Sequence, residues 1–128
     1  MNTVMNLELV KLSHFNWITK IESFVEGQKI PKNEVAISHL DSELGKWYYA
    51  VEQNKYKHLK EVQFLELKYK KLHTIAQYIW ESKMAGDFEL VKIYYADFLE
   101  VTKRIIKYFE IVEEIIFEKT ARMRVVNF

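Results

Sequence analysis

The chain contains no cysteine. Disulfides, thiolate metal sites and a cysteine nucleophile are therefore excluded. It has one proline, Pro31, and three glycines, Gly27, Gly45 and Gly86, so breaks in regular structure are few and fall at natural joints. No apolar run approaches the roughly 18 residues that would cross a bilayer. The opening stretch "MNTVMNLELVKL" lacks the basic region and uninterrupted apolar region of a signal peptide. No membrane span is expected, and the expected compartment is the cytoplasm. Charge of one sign is also missing: 19 Lys and Arg against 18 Asp and Glu give a net charge of +1, with the signs interspersed. A nucleic-acid partner would call for a basic face, so none is expected.

What is present is a globular composition, 49% hydrophobic, 15% aromatic and 29% charged over 128 residues. That length suits one domain, 1–128, able to bury a sizeable core. From Leu7 the residues Val10, Trp17, Ile21 and Phe24 recur at helical spacing, with His14 in the middle of the stripe. Gly27 is placed to end this helix, and "GQKIPKN" reads as a loop. A short helix is expected over about 35–51, and a long one over about 59–83 with Val62, Tyr69, Leu72, His73, Ala76 and Trp80 to one side. "MAGD" reads as a helix–helix turn, with Gly86 as left-handed cap and Asp87 as the next N-cap. The last helix is expected from Phe88 to Lys119, and 120–128 as a C-terminal tail. No strand pattern competes. The expected fold is all-α, an up-and-down four-helix bundle of three long helices and one short second helix. The last helix also carries Leu90, Ile93, Ile106, Ile111 and Ile115 off its main stripe. That surplus predicts self-association as a homodimer.

Polar residues on the buried stripes mark where chemistry could sit. Tyr69 and His73 are one helical turn apart and share a face. His14 comes from another helix, and Ser42 precedes a Gly-x-Trp on the short one. Two inward histidines from different helices are the usual start of a metal site in a bundle. His14-Phe15-Asn16-Trp17, Ser42-Glu43-Leu44-Gly45-Lys46-Trp47 and Tyr69-Lys70-Lys71-Leu72-His73 stand in order along the chain. Together they resemble the chemoreceptor zinc-binding domain. That family has a His-x-x-Trp on its first helix, a Cys-x-Leu-Gly-x-Trp on a short second helix and a His-x-x-x-His on the third. The resemblance implies a cytoplasmic sensory or regulatory module of chemotaxis-type signal transduction, with Trp17, Leu44, Gly45 and Trp47 as packing residues of the motif. It also implies that His14, Ser42, Tyr69 and His73 stand at the zinc-ligand positions.

At two of those positions this chain departs from the family. Ser42 replaces the thiolate, and a serine hydroxyl does not ionise near neutral pH. Tyr69 is a phenol with a pKa near 10. A closed four-ligand site contributes on the order of 10 kcal/mol in apparent terms, and losing two ligands removes most of it. The expected site is thus degenerate, with no cofactor and zinc only as the lesser alternative. His14, Ser42, Tyr69 and His73 would instead satisfy one another. His39 and His58 are expected at helix ends facing solvent, with His39 and Asp41 or Glu43 as an improvised metal site in the lesser reading. Trp17, Trp47, Tyr48, Tyr49 and Trp80 are expected in the core, and Glu113 and Glu114 on a solvated surface. No nucleophile–base pair or glycine-rich phosphate loop occurs, so no enzyme is expected. The expected function is a regulatory module acting through dimerisation or a signalling-protein partner. The alternatives are a bundle binding a small ligand in the vacated site, and a structural adaptor docking a partner helix.

Overall fold

The computed structural model describes residues 3–42, 45–46 and 58–126, with side chains described for 8–42, 45–46, 58–118 and 121. Four helices are delimited: α1 (Thr3–Val25), α2 (Lys32–Val35), α3 (Lys60–Met84) and α4 (Phe88–Val126). No strand occurs among the described residues. α3 and α4 form the most extensive pairing, an antiparallel hairpin, and α1 lies against both while α2 bridges α1 and α3. The protein is an all-α helical bundle.

Most residues of the stripes read from the sequence go inside, and Leu65, Ile75 and Ile79, which that reading does not include, join them. Val10, His14, Trp17, Ile21 and Phe24 of α1 are buried, as are Phe98, Ile105, Phe109, Val112 and Ile116 of α4. α3 adds Val62, Leu65, Tyr69, Leu72, Ala76 and Ile79 in a three-four alternation. That spacing keeps one seam facing the partner helices, and each large apolar side chain so buried contributes about 1.5–3 kcal/mol. Trp80 is half-buried and stacks on Phe24 with ring centroids 4.9 Å apart. Lys83 Nζ lies 4.1 Å from the same Phe24 ring, a cation–π contact.

The two helix stops form as the glycines require. Gly27 has φ 114° and Gly86 has φ 76°, a region closed to most side chains. Gln28 N donates to Ser23 O and Gly27 N to Phe24 O at the end of α1, and Asp87 N to Ser82 O and Gly86 N to Lys83 O at the end of α3. Both are Schellman closures. Asp87 Oδ1 then accepts from Leu90 N, capping α4.

Three differences from the sequence reading are physical. First, the short helix expected over 35–51 is not continuous: α2 ends at Val35, residues 36–42 are a non-helical turn, and helix is next found at Gly45 and Lys46. Second, α4 continues to Val126 rather than ending near Lys119. No glycine or proline follows Gly86 to stop it. Third, Glu113 is not simply solvated: it is half-buried and pairs with Lys11 Nζ at 2.7 Å, tying α4 to α1, and that hydrogen bond raises the lysine's pKa. Glu114 is exposed as expected. Among the described residues no helix is long and apolar enough to cross a membrane.

Candidate functional site

The site grows from the way residues 35–42 are strapped across α1 and α3. Trp17 Nε1 on α1 donates to Val35 O at 3.1 Å. His73 Nδ1 on α3 sits 2.7 Å from Ile37 O. A carbonyl can only accept, so His73 carries its proton on Nδ1 and leaves Nε2 as a lone pair. The indole and the imidazole that make these two bonds stack on each other, 4.1 Å apart and 9° from parallel. One aromatic pair thus fixes the start of the strap at Val35 and Ile37.

Ser42 closes the strap. Its Oγ donates to His39 O at 2.7 Å and accepts from Gly45 N at 3.0 Å, while Lys46 N donates to Ser42 O at 2.9 Å. That is the bonding of an N-cap, with the serine side chain accepting from the backbone N–H three residues on, where the chain is helical. Gly45 is obligatory for a reason of space: a Cβ there would collide with the backbone carbonyl of His39. The glycine lets the helix start press against the 39–40 turn.

His14 is fully buried, and its imidazole lies among Trp17, Tyr69 and Phe109, with ring centroids 6.2, 5.2 and 5.6 Å away. Tyr69 in turn lies 4.7 Å from His73. Neither ring nitrogen of His14, nor Nε2 of His73, has a hydrogen-bond partner among the described residues. Burial, with the nearby His73, pushes the His14 pKa down to about 3. Burial pushes His73 down to about 4, against the Ile37 carbonyl bond, which raises it, and with His39 adding a smaller lowering. Both are neutral imidazoles at pH 7. A cavity of about 270 Å³ opens beside them, walled by Trp17, Ser42, Tyr69 and His73 and rimmed by Asn16 and Lys20.

Of the residues singled out from the sequence, His14, Trp17, Tyr69 and His73 form one continuous aromatic cluster, and Ser42 meets Tyr69 and His73 at the cavity wall. Gly45 lies under the 39–40 turn. Leu44 and Trp47 lie outside the described residues, as do Glu43, Tyr48 and Tyr49. His58 is exposed just before α3, but His39 is half-buried rather than solvent-facing. The reading from sequence did not foresee the carbonyls of Val35 and Ile37 as acceptors, because backbone groups leave no trace in residue identity. It also passed over Ser42 as a cap, although a serine opening an apolar helical stretch is the ordinary signal for one.

Two histidines brought inward from different helices, facing a short capped segment, form the kind of interior site in which helical bundles hold metals or ligands. A match to the chemoreceptor zinc-binding domain family spans residues 14–80, just over half of the 128, and the chain belongs to that family. Comparison with curated proteins and with solved structures gave no match.

Whether zinc fits these residues turns on the donor set. The two histidines offer nitrogen lone pairs, as a zinc site requires, and His73 has the carbonyl-anchored Nδ1 typical of a metal ligand. A closed site needs four donors. Ser42 Oγ is engaged within its own turn, Tyr69 offers a phenol in place of an imidazole, and no three His, Cys, Asp or Glu side chains cluster among the described residues. The residues described do not fit a closed four-ligand zinc site.

Proposed function

We propose that this chain is a cytoplasmic sensory or regulatory module of the chemoreceptor zinc-binding family, not an enzyme, in which the metal position has become a structural polar–aromatic cluster. It acts through dimerisation or by binding a signalling protein. The observation that carries the reading is the engagement of Ser42. The residue at the thiolate position spends its hydroxyl on capping a helix and closing the 39–42 turn. His73 does for the strap what a metal would do, anchoring it to α3 through Ile37 O. The test is metal content after purification without an affinity tag, together with the thermal midpoint with and without a strong chelator. The expected result is substoichiometric zinc and an unchanged midpoint. About one zinc per chain and a large chelator-induced drop would overturn it.

A second reading has one observation in its favour. The 270 Å³ cavity carries a stacked Trp17–His73 wall and a polar rim of Asn16 and Lys20. A small polar ligand hydrogen-bonding to that rim would suit it.

A further inference from the structure

The strap has a second side. Ile37 and His73, joined through the Ile37 carbonyl and His73 Nδ1, line two separate hollows. One is the 270 Å³ cavity already described, which carries the carboxylates of Glu34 and Asp41 beside Lys20. The other is a cavity of about 230 Å³ between the strap and α3. Lys32 of α2 lines it together with Ser38 and His39 of the strap, and Lys70, Thr74 and Gln77 line it from α3. The α3 residues are spaced four and three apart, so they share one helix face. No Asp or Glu among the described residues lines this second cavity.

Its lining is rich in donors and cations that the fold does not use. Lys32 and Lys70 are exposed and enter no ion pair among the described residues. Glu34, the carboxylate of α2, is turned to Lys20 on α1 at 2.8 Å. Ser38 Oγ accepts from Leu40 N at 3.3 Å and keeps its own proton to donate. Gln77 Nε2 gives one of its two protons to Glu81 Oε1 at 3.3 Å and keeps the other. Thr74 is the exception, since its hydroxyl donates to Lys70 O. Two ammonium groups around one hollow with no counter-charge make its potential positive, and the low-dielectric walls focus that field.

We propose that this cavity binds a phosphate group, free or carried on a small phosphomonoester, between Lys32 of α2 and Lys70 of α3. A carboxylate is matched best by the planar fork of arginine, and no arginine lines the cavity. Lysines are point charges that approach a tetrahedral oxyanion from any side, and the Ser38 hydroxyl and Gln77 amide add neutral donors. The consequence of binding follows from where the two lysines stand. One lies on α2, which leads into the strap, and the other on α3. An anion that bridges them clamps the strap onto α3 beside the Ile37–His73 bond. Occupancy thus tightens the hold on the segment that carries Ser42.

The probe is inorganic phosphate, titrated calorimetrically into the full chain at constant ionic strength, with glycerol phosphate and acetate as parallel arms. Saturable binding of one phosphate per chain is expected. Both lysines are exposed, so Lys32→Gln and Lys70→Gln keep the fold. Each should weaken binding roughly tenfold or more, as the loss of a hydrogen bond between charged groups implies. Lys71→Gln removes the same charge one residue away, but Lys71 lines a groove shared with α4, so this variant should bind as the wild type does. Glycerol phosphate binding more tightly than phosphate assigns the site to an ester, and the reverse order assigns it to the free anion. Amide exchange over 36–42 should slow on adding phosphate to the wild type and not to Lys70→Gln. Absence of saturation at millimolar phosphate, acetate binding equally well, or an equal loss in Lys71→Gln overturns the site. Phosphate binding without slower exchange overturns the clamp.

Discussion

His14 is a residue whose cost shows in the structure. Two ring nitrogens are fully buried without a partner among the described residues, and an unmet buried polar group costs about 1–3 kcal/mol. If the cluster works without metal, His14→Leu removes that cost at similar volume and should stabilise the bundle by about 1 kcal/mol, read as a higher urea midpoint. Destabilisation by several kcal/mol would mean that His14 holds something the chain needs. The reverse experiment rebuilds the family's donor set. Ser42→Cys combined with Tyr69→His places a thiolate and a third imidazole on the wall already shared with His73. The double variant should take up about one zinc per chain with a chelator-sensitive midpoint, and Ser42→Cys alone should bind far more weakly. Failure of the double variant to bind would show that the strap has drifted from a ligand geometry as well as in its residues. The gathering of His14, Tyr69 and His73 was legible in the sequence because each stands on an apolar stripe, where a polar residue stands out. Ser42 was legible by its motif but not in its role, since capping depends on where the helix begins.

At the scale of elements, the segment from Val35 to Lys46 shows where sequence reasoning stopped. Its apolar residues allow one helix, yet 36–42 turns away from helical form. Several local signals favour the break. Leu40 N donates to Ser38 Oγ at 3.3 Å, Asp41 N to Ser38 O at 3.0 Å, and Ser42 Oγ caps the helical start at Gly45. Serines offer the backbone such alternatives to a helix. The tertiary reason is stronger: His73 needs a carbonyl at 2.7 Å, and only a non-helical Ile37 has one to spare. Gly45→Ala tests how tightly the strap is held. The added methyl has no room against the His39 carbonyl, so the turn must shift and the Ile37 bond with it. A cost of about 1–3 kcal/mol is expected, together with faster amide exchange over 36–42. An unchanged stability would mean that the 39–40 turn yields freely. The stops at Gly27 and Gly86, by contrast, were legible to the residue. A left-handed closure after an apolar stripe needs glycine, and few other signals are as local.

Across the whole molecule, the helical class and the core stripes followed from periodicity alone, because burial in a bundle imposes its spacing on the residues that face inward. What periodicity could not give was energetics, and there the two histidines set a dependence on pH. In the unfolded chain both titrate near 6.5. In the folded chain burial, with mutual repulsion for His14, holds them at about 3 for His14 and about 4 for His73. Above pH 6.5 both states carry neutral rings, and the full stability is present. Below it the unfolded chain binds protons that the folded chain refuses, so stability falls as pH drops toward 4 for His73 and toward 3 for His14. Each group costs about 1.4 kcal/mol per pH unit in that window, so from pH 6.5 to 5 the pair removes on the order of 4 kcal/mol. That is a large share of the roughly 5–15 kcal/mol typical of a domain. Urea unfolding at pH 7 and at pH 5, with chelator present so that loss of metal is not the cause, should show this fall. His14→Leu should recover about half of it, since one of the two titrating rings is gone. A wild type equally stable at both pH values would mean that the rings take up protons while folded, and that water reaches the cluster through the cavity beside Ser42.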